Sequence, residues 1–149
     1  MEVFLVPFYA HSGNNFDFSD WQPLHFHLKG VAELAACLAR EVQPITPTDT
    51  KELRGWKEAF CPTAWYAGLL HDLGKYREEF QQYLRKERGR STETAHAVYG
   101  AANSWHRLND LASAFAIAGH HTGLHDRSDL DGWVNGGKFK AKQRLAELL

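Results

Sequence analysis

Nine of the 149 residues are histidine. Six positions form a series that could do chemistry: His27, the adjacent pair His71-Asp72, His96, and the adjacent pair His120-His121. A carboxylate has two oxygens and can bridge two cations, and an imidazole beside it gives a nitrogen to one of them. Mixed nitrogen and oxygen donors suit manganese, iron, cobalt, nickel or zinc better than magnesium. Two such ions about 3.5–4 Å apart form a clamp for phosphodiester hydrolysis, lowering the pKa of a water between them and neutralising charge on phosphoryl oxygens. Taken singly, a histidine is more simply structural or solvent-facing, and His25, His106 and His125 are read that way. His25 stands two residues from His27, so a helix puts them on different faces. Taken together, the order His…His-Asp…His…His-His is hard to obtain by chance.

The elements that must bring these residues together read as helices. Leu24, Leu28, Val31, Ala35, Leu38 and Val42 recur at spacings of three and four, which predicts an amphipathic helix over 24–42. A connector at Pro44–Asp49 leads to a short helix over 51–59. The next helix starts near Pro62, a good first-turn residue, and is apolar almost all round to a left-handed cap at Gly74. A helix over 77–88 and another over 93–108, capped by Ser91 or Thr92 and containing His96, follow. Asn109 or Asp110 caps a helix that buries Leu111, Phe115 and Ala118 and ends at Gly119. Residues 1–23 read as irregular and 126–137 as loop, and 138–149 return to helical spacing through Ala141, Leu145 and Leu148. Trp65, Tyr66 and Phe80 read as core, and the cations of 85–90 as a solvated helix end. The expected fold is all-α, one compact helix bundle with the metal site at its centre.

Bulk properties set the class. The chain is long enough for one domain with a hydrophobic core and too short for two. A net charge of −1 argues against a strongly basic nucleic-acid binder, while allowing a local basic channel. Cys37 and Cys61 sit in apolar contexts and read as buried thiols in a reducing compartment. There is no CxxC, no basic-then-apolar leader and no apolar run near ~18 residues, so a cytoplasmic enzyme with no membrane partner is expected.

Leu70-His71-Asp72-Leu73-Gly74-Lys75 resembles the signature of HD-domain phosphohydrolases. The flanking residues narrow the resemblance to the HD nuclease domain of the CRISPR type I helicase-nuclease. They are Ala10-His11-Ser12, Trp21-Gln22-Pro23-Leu24 with His27-Leu28, Tyr76 with Phe80-Gln81 and Tyr83-Leu84, and Gly119-His120-His121-Thr122-Gly123-Leu124 with Asp126. The resemblance spans roughly residues 10–126. It implies packed helices and a metal-dependent nuclease degrading single-stranded DNA in CRISPR interference. His27, His71 and Asp72 would hold one metal. Asp72, His96, His120 and His121 would hold the other, with Asp72 bridging. Lys75 would face the substrate phosphate or support the site, and His11 and Ser12 would line the substrate groove. Implied partners are a helicase, in another domain or chain, and the RNA-guided surveillance complex.

Two departures bear on this. Ala97 follows His96 where the family usually has serine, which is not a ligand. The family's further aspartate, well downstream of the double histidine, has no counterpart in the 28 residues after His121, so a chain shortened at its C-terminus is expected. Asp129 and Asp131 are the available substitutes. No GxxxxGK[ST] is present, so no helicase domain is expected here. The rival expectations are an HD hydrolase acting on small nucleotides and a catalytically impaired fragment with an incomplete site.

Overall fold

The computed structural model describes residues 7–42, 50–139, 141 and 145. A two-stranded antiparallel ribbon comes first, β1 (Tyr9–His11) and β2 (Gln22–Pro23). Six helices follow among the described residues: α1 (Leu24–Glu41), α2 (Thr50–Leu70), α3 (Glu78–Leu84), α4 (Ala97–His106), α5 (Leu111–Gly119) and α6 (Arg127–Asn135). Short 3₁₀ turns at Leu73–Tyr76 and Thr92–Thr94 link α2 to α3 and α3 to α4. The fold class is the all-α one that the helical spacing predicts. The ribbon lies in the stretch read as irregular, too short to show a strand period.

On α1 the buried side is Leu24, Leu28, Ala32, Ala36 and Ala39, whereas Leu38 and Val42 are exposed. The stripe expected through Val31, Ala35, Leu38 and Val42 therefore holds only at its start. The cause is the neighbouring helix. A Cβ on Gly68 of α2 would lie 2.7 Å from Ala32 Cα and 2.9 Å from the Val31 carbonyl oxygen. At so close a crossing alanine fits and leucine does not, so the larger side chains turn outward. Cys37 shares that outer face and is exposed, and Cys61 is only partly buried. Neither is the fully buried thiol expected.

α2 is one helix where two were expected, with Pro62 inside it. Proline removes one hydrogen bond, but α1 lies along α2 in the most extensive contact between elements. Packing thus overrides the local break. Tyr66 is exposed rather than core, while Phe80 is buried. The helix stops at Leu70, four residues short of the expected end. Gly74 is not a left-handed cap, since among the described glycines only Gly123 has positive φ. Gly74 is needed for close approach: an added Cβ would lie 2.6 Å from His96 Cα and would run into the His96 carbonyl oxygen.

Caps set the remaining starts. The Ser91 and Thr94 side chains form a reciprocal cap on the 92–94 turn, so α4 begins only at Ala97 and His96 occupies its N-cap position. The Asp110 carboxylate accepts from the Ser113 N–H at 3.0 Å and opens α5. The Asp126 carboxylate accepts from the Asp129 N–H at 2.8 Å and opens α6, in a stretch expected to be loop. Leu130 and Val134, one turn apart, anchor α6 in the core with Val98, Tyr99, Ala102, Ala114 and Ile117. The helix expected over 138–149 lies mostly outside the described residues, although Ala141 and Leu145 are buried in the same core.

Candidate metal centre

The first donor comes from α1, one turn after Leu24. The pair His71-Asp72 sits in the turn after α2, where the chain leaves the helix. His96 precedes α4, and His120 and His121 follow α5. Three helix ends and one helix face thus converge, and Asp72 stands at their meeting point, 3% exposed.

The two carboxylate oxygens of Asp72 face different groups. Oδ2 lies 3.2 Å from His27 Nε2 and 3.1 Å from His71 Nε2. Oδ1 lies 3.1 Å from His96 Nε2 and 3.7 Å from His120 Nε2. His121 Nε2 is 2.9 Å from His96 Nε2. Donor atoms within 4.8 Å of one another form two sets that share Asp72: His27, His71 and Asp72, and Asp72, His96, His120 and His121. All six residues named from the series are in these sets. Asp129 and Asp131 belong to neither: both are exposed on α6, and Asp131 accepts from the Asn135 side chain at 2.8 Å.

Main-chain carbonyls orient two of the rings. His71 Nδ1 donates to the Gly68 carbonyl at 2.7 Å, and His120 Nδ1 donates to the Ile117 carbonyl at 2.6 Å. A carbonyl only accepts, so in the neutral ring the proton sits on Nδ1 and Nε2 presents a lone pair inward. Burial, reinforced by His120 and His96, lowers the His121 pKa. Burial also lowers His27, with the Asp72 charge opposing and His71 adding. Burial by itself would raise the Asp72 carboxyl, but His120, His71, His96 and the Lys75 ammonium outweigh it and hold the group well below the ordinary carboxylate range. Burial thus favours the neutral imidazole at His27 and His121, and the surrounding donors favour the ionised carboxylate at Asp72. Asp72 Oδ1 is buried with no hydrogen-bond partner, a costly state unless a cation satisfies it. That oxygen together with the imidazole nitrogens of His96, His120 and His121 suits a divalent transition ion. The other set offers three donors, and its oxygen already accepts from Lys75.

Lys75 is 5% exposed. Its ammonium lies 2.8 Å from Asp72 Oδ2 and donates to the Ala10 carbonyl at 3.1 Å. Of the two roles expected, this geometry serves support of the site. His11 stands beside His27, ring centroids 5.0 Å apart, whereas Ser12 lines a separate hollow of about 280 Å³ with Trp21 and Leu84. His106 pairs with Asn135 and His125 stacks on Trp133, away from the donor sets. Gln81 is a residue that spacing alone does not flag. It is 1% exposed. Its Oε1 accepts from the Tyr9 N–H at 3.0 Å, and its Nε2 donates to the Tyr9 carbonyl at 2.9 Å and the Lys75 carbonyl at 2.7 Å. It thereby holds β1 where Ala10 meets Lys75. The only sequence signal for it was its place in Phe80-Gln81, nine residues after Asp72.

A helical domain with His-Asp donor sets at converging helix ends is the class that fold and centre define. Residues 25–148 match the family model of the HD domain, and the chain belongs to that family. It is accordingly a metal-dependent phosphohydrolase domain that binds divalent metal. Over 40% of its length the chain is 39% identical to the CRISPR-associated nuclease/helicase Cas3 of Haloferax volcanii, and the match covers 7% of that protein. No solved structure matches significantly. Among the described residues no helix is long and apolar enough to cross a membrane.

Proposed function

We propose that this chain is a nuclease domain that degrades single-stranded DNA in type I CRISPR interference, acting in the cytoplasm in antiviral defence. The observation that carries the hydrolytic part is Asp72, whose two oxygens address two sets of imidazole donors. The similarity to the Haloferax nuclease/helicase supports the nuclease assignment over other HD activities. In this reading His27, His71 and Asp72 hold one divalent ion, and Asp72, His96, His120 and His121 hold a second. Manganese, iron, cobalt, nickel and zinc suit these donors better than magnesium. Bound ions would activate a water and neutralise phosphoryl charge. The chain's own residues do the rest. Asp72 stays ionised and shared, Lys75 fixes its orientation, and the carbonyls of Gly68 and Ile117 keep the His71 and His120 lone pairs pointed inward. His11, beside His27, borders the first set. Unwinding would come from a helicase in another domain or chain, working with the RNA-guided surveillance complex.

The test is cleavage of circular single-stranded DNA by the manganese-loaded chain. Cleavage is expected, and Asp72→Ala should lower it at least about a hundredfold, since it removes a donor from both sets. A loaded chain that hydrolyses nucleoside phosphates but leaves the DNA circle intact would make this a small-nucleotide hydrolase instead.

A further inference from the structure

A trough of about 720 Å³ opens on one side of the metal centre. His96 and His121 belong to its lining, whereas His27 and His71 do not, so the trough addresses one donor set only. Its walls come from segments far apart in sequence. Tyr83 stands on α3, Trp133 on α6 and Phe139 just beyond, with Arg90 following α3 and Lys138 immediately before Phe139. Tyr83 is 38% exposed, and Trp133 and Phe139 are half-buried.

Charge separates this surface from the rest of the molecule. The chain has 18 acidic residues, yet among the described residues no carboxylate lines the trough. Two neighbouring arginines are neutralised locally: Arg85 pairs with Glu78 and Glu87, and Arg88 with Glu93. Lys75 and Arg77 are buried and cannot present charge to a ligand. Arg90 and Lys138 are exposed and have no ion pair among the described residues. An exposed ring, Tyr83, beside cations that have no carboxylate partner suits a single strand, because every base has a stacking face and every linkage a charge.

We infer that the trough seats a single-stranded nucleic acid, with a base on Tyr83 and phosphates drawn by Arg90 and Lys138, delivering the strand to the His96–His121 side of the centre. The ligand class rests on the nuclease reading above. The test is therefore binding rather than cleavage. A short fluorescein-labelled single strand is titrated with the full chain, without metal, and followed by anisotropy at several salt concentrations. Tyr83→Ala should weaken binding about tenfold, within the range of one base stack. Arg90→Ala with Lys138→Ala should lower the slope of log K against log salt by about 1.4, at about 0.7 per phosphate contact. Both cations are exposed, so this variant folds even where an aromatic substitution does not. Lys29→Ala with Arg107→Ala changes net charge equally on surfaces outside the trough, and should leave affinity and slope as they are. The inference is overturned if the trough variants match that control, if the wild-type chain does not bind the strand, or if a mononucleotide displaces the strand at comparable concentration. Absent cleavage of DNA with these binding differences intact would sink the nuclease reading and leave the trough assignment standing.

Discussion

Asp72 decides the chemistry at the scale of one side chain, and it is shared unevenly. Oδ2 already accepts from Lys75 at 2.8 Å, while Oδ1 has no hydrogen-bond partner. The set on Oδ1 has four donors and the set on Oδ2 three. Metal titration by calorimetry should therefore resolve a tight and a weak event. His121→Ala should remove the tight one and His27→Ala the weak one, and one uniform event lost in both variants would contradict the arrangement. Protons set a further expectation. His27 and His121 have lowered pKa values in the folded chain, chiefly through burial. In the unfolded chain a histidine titrates near ~6.5. Between those values the unfolded state holds more protons, so stability rises with pH there. The chelated, metal-free chain should thus lose stability as pH falls below about 6.5, as read by denaturant titration at pH about 7.5 and about 5.5. Asp72, also depressed, acts with the same sign at lower pH.

The order of donor residues was legible before any fold was known, because convergence needs only helices and inward-facing donors. The division of labour between Oδ1 and Oδ2 was not. It depends on α2 ending at Leu70, which leaves His71 and Asp72 in a turn rather than on a helix face. That ending, in turn, depends on contacts between elements. Gly68 lets α1 and α2 close together, and Gly74 lets the chain at His96 pass beside the metal centre. No local pattern in either stretch announces this. α6 was hidden for a different reason: its Asp, Gly and Asn content reads as loop, and only Leu130 and Val134 one turn apart betray a packed face. Gly68→Ala tests the helix crossing. Its Cβ would meet the backbone of Ala32, which cannot step aside, so it should cost about 1–3 kcal/mol in urea denaturation. It should also weaken metal binding at the His27 set, because α1 carries His27 and α2 ends at His71.

For the molecule as a whole, the centre joins α1, the end of α2, the start of α4 and the end of α5. A ligand that binds only the folded state stabilises it by mass action, about 2.7 kcal/mol at a hundred times Kd. For a chain of this size that corresponds to a rise in Tm of about 5–10 °C. Manganese or zinc should produce it, and Asp72→Ala should abolish it, as read by thermal melts. The overall architecture was legible because helical spacing repeats along most of the chain. The trough was not, because Tyr83, Arg90, Trp133 and Lys138 meet only after folding, and a net charge of −1 gives no hint of a wall whose described residues include no carboxylate.

The Gln81 amide, placed above as the tie between β1 and Lys75, also bears on how this protein behaves among its own copies. A lone two-stranded ribbon offers unpaired main-chain groups on which another chain can add a strand. Gln81 takes both the N–H and the carbonyl of Tyr9, in the manner of a residue on a neighbouring strand. One side chain thus occupies the strand-edge groups of Tyr9 that an added strand would need.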